Sequence, residues 1–199
     1  MAYVHEDVPL TARALEEVTG ITPAIRQDWT RRKLLPKRKT ADQYSPREAA
    51  EILVVQTIRT ALPIPLELAL HQARRVAPAV LWHLITNFPS VCQFEGSPLE
   101  RSEAQQYLSS EIAKKKSEFL FDLIGLLPNS VPHVYSVWTG GTIWHEFSRP
   151  EEFLNQLKTR PSTPLKVIID HHDIANIMFT RLKQPMYLIR PTSKRRGKR

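Results

Sequence analysis

Residues 25–45, IRQDWTRRKLLPKRKTADQYS, crowd seven Lys and Arg against two acids around a single Trp. Ammonium and guanidinium groups at this density can hold phosphates, and Arg pairs bidentately with guanine as Gln does with adenine. A second stretch, KVIIDHHD at 166–173, sets Asp170, His171 and His172 side by side. Carboxylate and imidazole are ligands for a divalent metal, so hydrolysis on a metal is the chemistry to weigh there. A hydrolytic metal centre needs further carboxylate or imidazole ligands from other elements, and no Asp-x-Asp pair occurs in the chain to supply them. The other histidines, at 5, 71, 83, 133 and 145, form no ligand-like pair beyond His133 and His145 across an expected hairpin. Asp170 then reads as the cap of a helix starting near His171, with both imidazoles near the surface. The one cysteine, Cys92, excludes an intrachain disulfide and a multi-thiolate metal site, and reads as a small core filler. There is no Gly-rich phosphate loop and no nucleophile motif. The expectation is a protein without catalytic residues, metal or cofactor.

The elements that must position the basic stretch are legible from caps and periodicity. Thr11 caps a first helix carrying Ala14, Leu15 and Val18, and Gly20 ends it. Thr22 followed by Pro23 starts a second helix, on which Ile21, Ile25 and Trp29 share one face and Trp29 belongs to the core. Two short helices around a Gly turn, the second basic, outline a helix-turn-helix. KRKTADQY then reads as a short extended hairpin. Ser45-Pro46-Arg47-Glu48 is a capping box opening a third helix with Ala49, Ile52, Leu53, Gln56 and Leu62 on its apolar side. Pro63 and Pro65 break it, and a fourth helix turns Leu66, Ala69, Leu70, Ala73, Ala77, Val80, Leu81 and Leu84 inward, with a kink expected at Pro78. Residues 89–98 read as a linker.

Ser97-Pro98-Leu99-Glu100 repeats the capping box and opens a helix to about Leu127, with Ala104, Leu108, Ile112, Phe119 and Leu123 inward and a break expected in AKKKSE. HVYSVW and TIWHEF flank Thr139-Gly140-Gly141 as a hairpin. Ser148-Arg149-Pro150-Glu151 caps a short helix with Phe153, Leu154 and Leu157. The strand LKVIID, a helix and the strand PMYLI then suggest a parallel pair with a right-handed crossover.

Composition sets the outer bounds. The chain has 199 residues, 42% apolar and 24% charged, ordinary for a soluble globular protein. It has no apolar run of membrane-spanning length, and MAYVHEDVPL lacks a signal layout, so a cytoplasmic, nucleoid-associated protein is expected. The net charge of +8 concentrates in residues 26–39 and in a tail ending SKRRGKR, the distribution of a polyanion footprint.

Residues 10–87 resemble the winged helix-turn-helix domain of the MerR family of bacterial transcription regulators. The matching residues are Gly20, Thr22-Pro23, Trp29, Arg31, Leu34-Leu35-Pro36, the basic wing, Tyr44-Ser45 and the helix opening PIPLELAL. On a gapless alignment the family's recognition-helix Arg falls on Gln27, its neighbouring Leu on Arg26, and the Gly before the Leu pair on Lys33. The resemblance implies a sequence-specific regulator of double-stranded DNA that acts as a homodimer and contacts RNA polymerase or another protein through its C-terminal part. Expected at the DNA are Thr11, Thr22, Arg26, Gln27, Arg31, Arg32, Lys33, Lys37, Arg38, Lys39 and Tyr44. Thr22, Arg26, Gln27 and Arg31 are assigned to the major groove, and Arg32, Lys37, Arg38 and Lys39 to phosphates or the flanking minor groove. The fold class is α+β, a winged helix-turn-helix followed by helices and a small mixed α/β unit. The boundaries are 1–88 for the DNA-binding domain, 98–128 for a helical linker suited to dimerisation, 130–190 for the α/β unit and 191–199 for a disordered basic tail. Three rival readings are an excisionase-like architectural factor, an RNA-binding or ribosome-associated protein, and a metal-dependent enzyme resembling the DHH phosphoesterases.

Overall fold

The structure is a computed structural model that describes residues 2–32, 34–35, 43–114, 117–126, 132–138, 144–149, 151–152, 154–155 and 167–192. Strands β1 (Tyr3–Asp7) and β2 (Leu10–Thr11) lead into α1 (Ala12–Thr19). Thr11 Oγ1 accepts the Ala14 N–H at 3.2 Å, and Gly20 leaves α1 with φ 74°. An L side chain resists that left-handed angle, so glycine suits the turn. Thr22 caps α2 (Pro23–Arg31) by accepting the Ile25 N–H at 3.3 Å. Each such cap stabilises its helix by roughly 1 kcal/mol. Strand β3 (Gln43–Tyr44) pairs antiparallel with β2, Leu10 opposite Tyr44.

The expected capping box at Ser45 and Glu48 opens α3 (Pro46–Ala61), and α4 (Leu66–Asn87) follows, running on through Pro78. All eight residues expected inward on α4 are buried. On α3 burial extends further than the expected stripe, to Ala50, Val54, Val55 and Ile58. The reason is position: α3 packs along α4 and is also met by α1 and by a late helix, α7 (His171–Arg181). A helix covered on several sides has no single apolar stripe to read.

Residues 89–98 correct the expected linker. A 3-10 turn at Pro89–Val91 leads into β4 (Cys92–Phe94), which pairs parallel with β8 (Tyr187–Pro191). β8 also pairs antiparallel with β1, giving a three-stranded sheet ordered β1-β8-β4. The second capping box, Ser97 and Glu100, opens α5 (Pro98–Ala113), and the expected break is real: α6 (Glu118–Ile124) starts anew under a Ser117 cap. The buried Ser117 hydroxyl donates to Glu111 Oε2 at 2.7 Å, pinning the join from both sides. Ala104, Leu108 and Leu123 are buried within this chain, where α5 meets β4, β8 and α6. Leu127 lies outside the described residues.

β5 (Tyr135–Trp138) and β6 (Trp144–Phe147) form the expected antiparallel hairpin arms. The expected parallel pair from β7 (Val167–Asp170) to β8 is not formed. β7 instead joins β5 antiparallel in a sheet ordered β6-β5-β7, while β8 belongs to the other sheet. Of the helix expected after Ser148, residues 151–152 and 154–155 are helical, and Phe153 and Leu157 lie outside the described residues. The molecule is a mixed α and β fold. One apolar cluster runs from Leu10 to Ile189, and α7 lies against α4 and α1, so contacts cross the boundaries at 88, 98 and 130.

Candidate nucleic-acid interface

The unit formed by α1, the turn at Gly20 and α2 is held from beneath by Trp29, which is only 2% exposed and packs in the core with Ile21, Leu35 and Tyr44. With Trp29 inward, α2 turns Ala24, Gln27, Thr30 and Arg31 to solvent. Arg31 is 81% exposed and donates to Asp28 at 2.6 Å, one turn earlier. Arg32 donates to Glu67 at 3.0 Å and lies 3.8 Å from Asp28, tying the end of α2 to the start of α4. Thr11 and Thr22 are exposed, each with its hydroxyl in a helix cap.

Arg26 and Tyr44 are placed differently from the expectation. Arg26 is 18% exposed, and its Nε donates to Glu16 Oε1 at 3.3 Å while its Nη1 donates to the Tyr44 hydroxyl at 3.3 Å. Tyr44 is buried at 2%. One guanidinium thus clamps α1, α2 and β3 together, which is a positioning role within the module. Among the expected reading residues of the helix, Gln27 and Arg31 face outward. Lys33, Lys37, Arg38 and Lys39 lie outside the described residues, as does most of the expected wing hairpin. The described part of that segment, Gln43–Tyr44, returns to the N-cap of α1, so the basic stretch joins the end of α2 to a strand beside Thr11.

At the other chemical candidate, Asp170 caps α7 as expected, accepting the backbone N–H groups of His172 at 2.8 Å and Asp173 at 3.3 Å. His171 corrects the expectation of two surface imidazoles: it is 1% exposed. Its Nδ1 lies 2.7 Å from the His133 carbonyl, which can only accept, so Nδ1 carries the proton and Nε2 accepts from Ser136 Oγ at 2.9 Å. Gln72 Nε2 donates to the same Ser136 oxygen at 3.4 Å. Burial pushes the imidazole pKa down to about 4, so His171 is neutral at ordinary pH. The unbroken apolar run Val167-Ile168-Ile169 gives no alternation from which the inward turn of His171 could have been read. His172 is exposed, and Asp170, His172 and Asp173 bring one ligand atom each within 4.8 Å of one another. Cys92 is buried as expected, its thiol pKa pushed up to about 12 by desolvation, which removes it as a nucleophile.

The chain matches no known family model, no curated protein and no solved structure.

Proposed function

We propose that this protein binds double-stranded DNA through α1, α2 and the basic stretch that follows, and regulates transcription as a dimer. The observation that carries the reading is the exposed face of α2, with Gln27 and Arg31 outward on a helix anchored by Trp29 and Arg26. The basic stretch from Lys33 to Lys39 follows that helix directly in the chain. Gln suits adenine and Arg suits guanine in the major groove, while Lys and Arg beside them suit phosphates. The pairing of Arg31 with Asp28 does not stand against this. So exposed an ion pair contributes about 0–1 kcal/mol, whereas a bidentate guanine contact discriminates by about 1–3 kcal/mol. A homodimer is expected because one module reads a half-site, and RNA polymerase or another protein is the expected contact of the C-terminal part.

The test is selection of bound duplexes from a random pool, followed by titration of selected and scrambled duplexes at several salt concentrations. Arg38→Ala should weaken all duplexes evenly and lower the salt slope by about one, and deletion of 193–199 should act in the same sense. A pool that never enriches, with salt-dependent binding to any duplex, favours the architectural reading. A second reading, metal-dependent hydrolysis, has the Asp170, His172 and Asp173 cluster in its favour. Stoichiometric Mn or Zn in the purified protein, lost in Asp170→Asn, would put that reading first.

A further inference from the structure

Between the α1 exit, the C-terminal half of α3 and the last turn of α7 lies an open groove of about 440 Å³. That volume is within the roughly 300–1,000 Å³ of small-molecule sites. Leu53 forms its floor, and Ile177, exposed though large and apolar, forms one wall. Its polar groups are sorted by role. Thr57 Oγ1 donates to Leu53 O at 3.0 Å and Thr60 Oγ1 to Gln56 O at 2.8 Å, so both hydroxyl protons are spent on α3 itself. What remains to donate into the groove is the Gln56 carboxamide and the Arg181 guanidinium. Arg181 commits Nη1 to Val18 O at 3.3 Å, and no other hydrogen bond or ion pair of its side chain is present among the described residues.

We infer that this groove binds a small organic carboxylate with an apolar body, its anionic end on Arg181 and its hydrocarbon on Leu53 and Ile177. The chemistry selects that class. A carboxylate only accepts, matching a site whose available protons sit on one guanidinium and one amide, and the guanidinium fork suits two parallel bonds. An ammonium would face Arg181 with like charge. A phosphate would bring a second charge with no second cation among the lining residues to meet it, and no use for the apolar floor. Nothing in the site requires that the protein bind DNA. The ligand would sit over Gly20, where a Cβ would lie 3.6 Å from Arg181 Nη1, and so against the turn between α1 and α2.

The test uses the full chain and 4-phenylbutyrate as probe, followed by amide resonances in ¹H–¹⁵N spectra, with 4-phenylbutan-1-ol as the uncharged control. Saturable shifts are expected at Gly20, Thr57 and Arg181, with the alcohol at least about tenfold weaker. Arg181→Gln removes the cation, and its shorter amide no longer reaches Val18 O, so it should weaken the acid about tenfold while leaving binding of the alcohol unchanged. Ala61→Trp fills the groove from the exposed end of α3 and should remove binding of both compounds. The inference is overturned by acid and alcohol binding alike, by Arg181→Gln binding unchanged, or by no saturation of the wild-type chain below about 10 mM.

Discussion

Arg26 and Arg31 stand on the same helix with the same guanidinium, and their surroundings give them different work. Arg26 lies between Glu16 and the Tyr44 hydroxyl, while Arg31 is held among the described residues only by Asp28 on its own helix. Arg26→Ala leaves a half-buried carboxylate short of its cation, so it should cost about 1–3 kcal/mol of stability and loosen the whole module. Arg31→Ala should change stability by no more than about 0.5 kcal/mol, yet cost about 1–3 kcal/mol of preference for the selected duplex at one position. Melts and duplex titrations of both variants check this, and equal melting temperatures would remove the clamp. His171 gives a second residue-scale outcome. Its pKa falls from an ordinary 6.5 to about 4 on folding, chiefly through burial, so between those values the unfolded chain binds the proton and the folded chain does not. The contribution is present in full above pH 6.5 and is lost as pH falls toward 4, on the order of 3 kcal/mol in total. His171→Asn should flatten that part of the pH–stability curve in urea titrations between pH 7 and 4. Parallel curves for the two proteins would show that the imidazole is not buried neutral.

At the scale of elements, the turn between α1 and α2 depends on one backbone angle. Gly20 has φ 74°, and a Cβ there would meet Arg181 Nη1 at an ordinary 3.6 Å, so the penalty of Gly20→Ala is conformational and not steric. About 1 kcal/mol is expected, or roughly 2–4 °C in a thermal melt of a chain this size. A rise in melting temperature would mean the turn tolerates a right-handed exit. The same locality explains which elements were legible in the sequence. Thr11, Thr22, Ser45 and Ser97 bond N–H groups three residues away, so their helices announce themselves in four letters. β1 and β4 do not: Cys92–Phe94 is too short to show alternation, and both strands find their partner in Tyr187–Pro191, far along the chain. The crossover expected from β7 to β8 failed for the same reason, since local order cannot say which of two sheets a strand joins. At the candidate interface, outward Gln27 and inward Trp29 followed from helical period. The inward turn of Arg26 did not, because it depends on Glu16 and Tyr44 arriving from other elements.

Over the whole molecule, the first and last described strands are neighbours, Tyr3 opposite Pro191 and Asp7 opposite Tyr187. Val8 N–H donates to Met186 O at 2.8 Å, and Arg181 reaches Val18 O, so the C-terminal elements brace α1 and the chain that leads into it. α4 has apolar neighbours on both sides of the boundary drawn at residue 88: α3 from the first part, α6 and α7 from the second. Phe88 stacks on Phe179 of α7 with ring centroids 4.1 Å apart, and Trp82 stacks on Phe121 of α6. A fragment ending at 88 would expose these faces and leave β1 without a partner strand. Uncovering several large side chains costs about 1.5–3 kcal/mol each, which together rivals the 5–15 kcal/mol that holds an ordinary domain. The full chain should therefore unfold in one transition, with far-ultraviolet circular dichroism and Trp fluorescence coinciding in urea. Residues 1–88 alone should show helical signal with a broad, weakly cooperative transition and should bind a selected duplex less tightly than the full chain. A fragment that melts as sharply and as high as the parent would restore the independent N-terminal domain expected from sequence, and β8 and α7 would then decorate that module without holding it.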